Sequence, residues 1–224
     1  MLRRYLFLAI ALTLLTSSSA SATPVTLVFQ HGSEVTRNAV GTGVTYAGTI
    51  DTVVLDNDNI DRGGDPSFGV DSSATSSTGN DQDSLLGFGD LFGATLDRIP
   101  AGSTITSATL HLVQNSGFGE GGVANARRML VSWTEADTWQ SLTTSGIGLQ
   151  SNGVEVRTTD SFTIPGGIRF VRSEYDRDVM ADIQFWSDNP TQNFGWALLP
   201  LGMGGRGEWT SRRRKARLSP ITPG

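Results

Sequence analysis

The densest set of oxygen ligands in the sequence is Asp56-Asn57-Asp58-Asn59-Ile60-Asp61-Arg62-Gly63-Gly64-Asp65. Calcium takes about six to eight oxygens, and alternating Asp side chains can converge on one ion. Asp56, Asp58, Asp61 and Asp65 are therefore the expected Ca2+ ligands. Ile60 stands where a calcium loop would carry Asp or Asn, and no Glu follows where an EF-hand needs one. The same run also suits a solvated turn between strands, because Asn and Asp favour turns.

Aromatic rings form the second set. An exposed ring can stack on the face of a sugar, and the chain has five tryptophans. Trp133 alternates with Met129 and Val131, and Trp186 lies on an apolar helical stripe, so both are expected in the core. Trp139 and Trp196 are expected in the core or at its rim. Trp209, between Glu208 and Thr210, is the leading candidate for an exposed, ligand-binding ring, followed by Tyr46 and Tyr175.

Catalytic patterns are sparse. His31 and His111 are far apart in sequence and sit in no nucleophile or metal motif. No Gly-x-Ser-x-Gly elbow, Walker loop or His-Glu-x-x-His run occurs. Gly202-Met203-Gly204-Gly205 follows a strand without opening a helix and reads as a turn. Glu135 and Asp137 are close enough for acid–base work, but one such pair is unremarkable among 22 carboxylates. With no cysteine, there is no disulfide framework, thiolate zinc site or cysteine nucleophile. A non-catalytic protein is expected.

The elements that must carry these residues read as short strands parted by Gly, Asn, Asp and Ser. Candidate strands are Val25 to Phe29, Tyr46 to Leu55, Ser84 to Phe92, Thr104 to Gln114, Arg128 to Trp133, Ser161 to Ile164 and Trp196 to Leu199. Alternation is clearest where Ala108, Leu110 and Leu112 share one face and Thr109, His111 and Val113 the other. Pro66 to Asn80 holds five Ser, two Thr and two Gly and reads as a long surface loop. In Tyr175 to Trp186, Val179, Ile183 and Trp186 recur at helical spacing, with Asp176, Arg177, Asp182 and Gln184 on the polar side. One short helix is expected there, capped by Ser173 or Asp176 and ended by Asn189-Pro190. Many strands and one helix predict an all-β fold, an antiparallel β-sandwich of jelly-roll type.

Residues 1–22 are expected to be a signal peptide. Arg3 and Arg4 precede an apolar run from Tyr5 to Leu15, and Ala20-Ser21-Ala22 forms a small-residue cleavage site. No later segment is long and apolar enough for a membrane helix. Secretion, to the cell envelope or beyond it, is the expected destination. One lysine against sixteen arginines suggests a G+C-rich, bacterial coding sequence. Charge is unevenly spread. Residues 23–205 carry nine basic and 21 acidic groups, a net −12, whereas 206–224 carry six basic groups and Glu208. The acidic body disfavours nucleic acid. The basic stretch 211–224 is expected to be a disordered tail.

The order of the segments resembles the DNRLRE domain family, which is close to carbohydrate-binding module family 96. The first matching block is Asp83-Ser84-Leu85-Leu86-Gly87-Phe88 followed by Ile99-Pro100-Ala101-Gly102-Ser103-Thr104-Ile105-Thr106-Ser107-Ala108-Thr109-Leu110. The second is Val131-Ser132-Trp133-Thr134-Glu135 with Asp137-Thr138-Trp139. The third is Val179 through Trp186, then Asn193-Phe194-Gly195-Trp196-Ala197-Leu198-Leu199. The resemblance implies one domain over 23–210, a jelly-roll sandwich and a non-catalytic role; some such modules bind acidic polysaccharides such as alginate. Two departures stand out. Pro220 is expected to interrupt the family's closing strand, and an acidic body does not suit an anionic polymer.

The expected partner is a polysaccharide, held at the cell envelope or in the extracellular matrix. The alternatives are a structural or adhesive protein that binds another envelope protein, and a jelly-roll lyase or hydrolase. The last is disfavoured by the scarcity of His, Lys and Tyr that such bases require.

Overall fold

The computed structural model describes residues 24–55, 59–65, 67–71, 82–114, 123–142, 149–165 and 172–200, and the backbone of 209–212 and 217–221. Thirteen strands and two α-helices occur within these residues. In chain order they are β1 (Leu27–Gln30), β2 (Glu34–Arg37), β3 (Val40–Thr45), β4 (Thr49–Leu55), β5 (Ser67–Val70), β6 (Gln82–Phe88), β7 (Thr109–Gln114) and β8 (Ala124–Arg128). Then come α1 (Trp139–Leu142), β9 (Phe162–Ile164), β10 (Ser173–Asp178), α2 (Met180–Asp188), β11 (Trp196–Pro200), β12 (Trp209–Arg212) and β13 (Arg217–Ile221). None of the described helices is long and apolar enough to cross a membrane.

The strands form two antiparallel sheets. One has the order β3-β2-β1-β13-β7-β12-β5, with β10 on the other edge of β7; the second has the order β4-β6-β11-β8-β9. Both sheets feed one core. Leu27 and Phe29 of β1 and Leu110 and Leu112 of β7 pack in the same cluster as Leu86 and Phe88 of β6 and Trp196 and Leu198 of β11. In β1 and β7 alternation turns every second residue into that layer, as the Ala108, Leu110 and Leu112 pattern predicts. At one side the sheets are stitched together, because the backbone of Gly69 on β5 donates to Ser84 Oγ and accepts from Gln82 Nε2 on β6.

The five-stranded sheet is covered on its outer face too. Val54, Leu85, Met129, Trp133, Trp139, Leu149, Val156 and Ala197 form a second apolar cluster. The excursion after β8 supplies most of it. Met129, Val131 and Trp133 do lie on one side, but that stretch is not a strand: Met129 makes an isolated bridge to Val156.

Three sequence-based expectations are corrected. The helix does not begin at Tyr175. Residues 173–178 form β10, paired along its whole length with β7, and the helix runs from Met180 to Asp188. A partner strand and the alternation of exposed Glu174, Asp176 and Asp178 outweigh the helical spacing of Val179, Ile183 and Trp186. The N-cap position is Val179, with no side-chain cap, and the Asp178 carboxylate accepts from Met180 N. Asn189 does end the helix, its backbone N–H returning to the Phe185 carbonyl. A second helical turn, α1, lies at Trp139–Leu142, beyond the one helix expected.

Secondly, part of the expected surface loop is core. Ser67–Val70 is β5, and Phe68 and Val70 are buried; residues 72–80 lie outside the described residues. Thirdly, the stretch 211–224 contributes strands. β12 crosses the expected boundary at 210, and β13 sits between β1 and β7. Pro220 is accommodated by a bulge. Leu27 pairs with Ile221 and Phe29 with Leu218, so Ser219 and Pro220 together oppose Val28. The ladder to β7 ends at Ser219, before the proline's missing N–H would be needed.

Candidate binding surface on the eight-stranded sheet

Pairing of β7 with β10 brings together residues far apart in sequence. Asp176 stands opposite His111, Glu174 opposite Val113 and Asp178 opposite Thr109, all on the face turned away from the core. His111 Nδ1 lies 2.7 Å from Asp176 Oδ1, and Nε2 lies 3.8 Å from Glu174 Oε2. Arg172 completes the chain with a 2.6 Å contact to Glu174 Oε1. Whichever ring nitrogen carries the proton, it faces a carboxylate, so the imidazole is held between two acids and Asp176 remains well exposed.

The same register continues across the sheet. Arg217 of β13 stands opposite His111, and Gln30 of β1 stands opposite Arg217. Four adjacent strands thus place Asp176, His111, Arg217 and Gln30 in one row, spanning about 15 Å at the usual strand spacing.

The residues expected from sequence to bind ligand fall elsewhere. Tyr46 is not an exposed ring: it is 4% exposed and packs edge-on against Phe29 at 5.3 Å and parallel to Phe88 at 6.5 Å. Its place at the turn between β3 and β4 points it inward, and its hydroxyl donates to the Gly89 carbonyl at 2.7 Å. Burial first, and the negative charge of Asp90 second, push that hydroxyl far above the usual tyrosine range, so it stays a neutral donor. Tyr175 is half-buried against the core, because β10 turns its odd-numbered residues inward. Its hydroxyl donates to Gln114 Oε1 at 2.8 Å, and Arg177 lies 5.5 Å from its ring centre. Trp209 lies on β12, its backbone opposite Val70 of β5. Trp133, Trp139, Trp186 and Trp196 are all buried.

Of the four expected calcium ligands, Asp56 and Asp58 lie outside the described residues. Asp61 Oδ1 accepts from Gly63 N at 2.8 Å, and Asp65 faces Arg62 at 3.6 Å. Among the described residues, no three His, Asp or Glu side chains gather as a metal site. Glu135 Oε1 accepts from Asp51 N, and both Asp137 oxygens are bonded to the turn that begins α1. His31 Nδ1 contacts the Thr49 carbonyl.

Sequence reasoning also put Asp182 on the polar side of the helix. It is 4% exposed. Its Oδ2 accepts from Trp196 Nε1 at 2.7 Å, and its Oδ1 lies 3.2 Å from Arg128 Nε. Arg128 is stacked 3.8 Å above the Phe185 ring. Burial lowers the Arg128 pKa, and Asp182 opposes the shift. A pair this buried ties β8, α2 and β11 together, and loss of either partner would leave an uncompensated charge costing about 3–5 kcal/mol. The cluster is structural, at the end of the core.

The chain matches no family model and no curated protein. The site therefore rests on its own geometry.

Proposed function

We propose that the protein is a non-catalytic binding module, exported by a bacterium, that holds polysaccharide on the outer face of its eight-stranded sheet. The observation that carries this reading is the register row Asp176, His111, Arg217 and Gln30. The Asp176 and Glu174 carboxylates and the Gln30 amide are acceptors and donors that sugar hydroxyls need, the His111 imidazole fixes the two acids, and charge-assisted hydrogen bonds are the stronger kind. A row of about 15 Å matches an extended oligomer better than a single small molecule. The jelly-roll resemblance and the signal-like N-terminus support the same reading.

Two features argue for binding over catalysis. Both imidazole nitrogens of His111 face carboxylates, leaving neither aimed at a substrate proton. Glu135 and Asp137 are likewise spent on backbone and side-chain hydrogen bonds. The net −12 of residues 23–205 favours neutral or cationic glycans over acidic ones.

A glycan array, run with and without calcium, tests the proposal. Neutral oligosaccharides should bind, and His111→Ala and Asp176→Ala should each weaken binding about tenfold, the scale of one charge-assisted hydrogen bond. An array on which both variants bind like the unaltered chain would rule out this face.

A further inference from the structure

A pocket of about 160 Å³ opens at the other end of the same sheet, between the β3–β4 turn and the segment after β6. Val35, Val44 and Tyr46 supply apolar wall, and Asp90, Asp97 and Arg98 supply charge. Beside it two backbones approach closely. Gly89 N donates to the Gly48 carbonyl at 2.7 Å, and a Cβ on Gly48 would collide with the Gly89 carbonyl and the Tyr46 hydroxyl. Glycine at 48 is what permits this approach.

The charges do not cancel. Arg98 Nη1 lies 3.0 Å from Asp90 Oδ1, and its Nε lies 3.9 Å from Asp97 Oδ2. One guanidinium faces two carboxylates, so the pocket keeps one negative charge. Asp90, with a side chain 70% exposed, stands at the mouth in the closer contact with Arg98, and Asp97 keeps the looser one, so the two carboxylates share the excess charge. Asp90 is also held in the left-handed region at φ 55°, a conformation that Asp and Asn tolerate better than most residues.

Size and charge together select a ligand class. A cavity of about 150 Å³ admits one six-membered ring. An apolar wall beside two carboxylates that share one guanidinium suits a ring whose C–H face packs on Val35 and Val44 and whose ammonium meets the Asp90 and Asp97 carboxylates. We propose that this pocket binds one amino sugar residue, through its ring face and its protonated amine. The choice of a sugar ring rests on the polysaccharide-binding reading; the demand for a cation rests on the pocket alone.

Titration of the full chain with glucosamine, N-acetylglucosamine and glucose at pH 6, followed calorimetrically, tests the inference. Glucosamine should bind at least tenfold more tightly than the other two, which lack the ammonium. Asp90→Asn keeps a residue that accepts the left-handed conformation while removing the charge, and should cost about tenfold. Val44→Trp should abolish binding by filling the opening; Val44 is 43% exposed, so the larger ring is tolerated. Equal affinity for glucosamine and N-acetylglucosamine, or full affinity in Val44→Trp, would overturn the inference. A chain whose oligosaccharide binding is sensitive to His111→Ala but which ignores glucosamine would also overturn it, leaving the sheet-face reading standing. Glucosamine binding with a blank neutral-glycan array would support the pocket and remove the sheet face.

Discussion

Tyr46 shows how one residue can be placed by the fold for a purpose its sequence context does not suggest. Its ring completes the core with Phe29 and Phe88, while its hydroxyl, at the edge of the pocket, donates to the Gly89 carbonyl. That burial has a consequence in alkali. The folded-state pKa is raised above the ordinary value of 10.0, so below pH 10 both folded and unfolded chains keep the proton and the contribution is intact. As pH rises past 10 the unfolded chain ionises this tyrosine and the folded chain does not, so stability falls, with a slope approaching about 1.4 kcal/mol per pH unit. Tyr46→Phe should lose about 1 kcal/mol at neutral pH with its hydrogen bond, and should flatten the alkaline slope. Urea denaturation at pH 8 and pH 11 compares the two chains. An identical slope in both would mean that the hydroxyl is not the group responsible.

Among the elements, β3 is the exposed edge of the eight-stranded sheet, and its sequence Val40-Gly41-Thr42-Gly43-Val44-Thr45 carries no charge or proline to discourage pairing with another chain. Protection comes from its neighbour. The Glu34 carboxylate of β2 reaches across and accepts from Gly43 N, and Thr42 Oγ1 accepts from Val44 N. A Cβ on Gly41 would occupy the space of the Glu34 carboxylate, so the glycine permits the crossing. Register between β2 and β3 shifts at this point, and the irregular edge is a poor template for a further strand. Glu34→Ala should free the Gly43 N–H, cost about 1–2 kcal/mol and increase self-association with concentration. Sedimentation velocity of the variant and the unaltered chain measures it; indistinguishable association would show that the carboxylate does not guard the edge. This device was invisible in sequence for the same reason as the binding row. Alternation within a segment reveals which face of a strand is apolar, as Ala108, Leu110 and Leu112 did, but nothing local tells which strand lies beside it. His111 and Asp176 are 65 residues apart. In segment 175–186 the helical period is real from Val179 onward and hides the strand before it, which is held by pairing to β7.

At the scale of the whole molecule, a chain without disulfides gains its apolar burial by covering one sheet twice. The five-stranded sheet packs on its neighbour through one cluster and under the excursion after β8 through another. Burial of Trp133, Trp139, Leu149 and Val156 in the outer layer adds core that a simple two-layer sandwich of this length would lack. What opposes it is charge. Residues 23–205 hold nine basic and 21 acidic groups, and such an excess repels itself in the compact state. Salt screens that repulsion, because the Debye length falls from about 30 Å at 0.01 M to about 8 Å at 0.15 M. The melting temperature should therefore rise by several degrees over that range of sodium chloride, an increment of about 1 kcal/mol for a domain of this size. Divalent ions separate two causes of a further rise. General screening treats calcium and magnesium alike at matched ionic strength, whereas a site built from Asp56, Asp58, Asp61 and Asp65 would favour the larger ion with its looser geometry. Equal melting curves in millimolar calcium and magnesium would exclude that site and leave the acidic body stabilised by screening alone. A melting temperature that does not move with sodium chloride would mean that the acidic groups are spaced widely enough for solvent to absorb their repulsion.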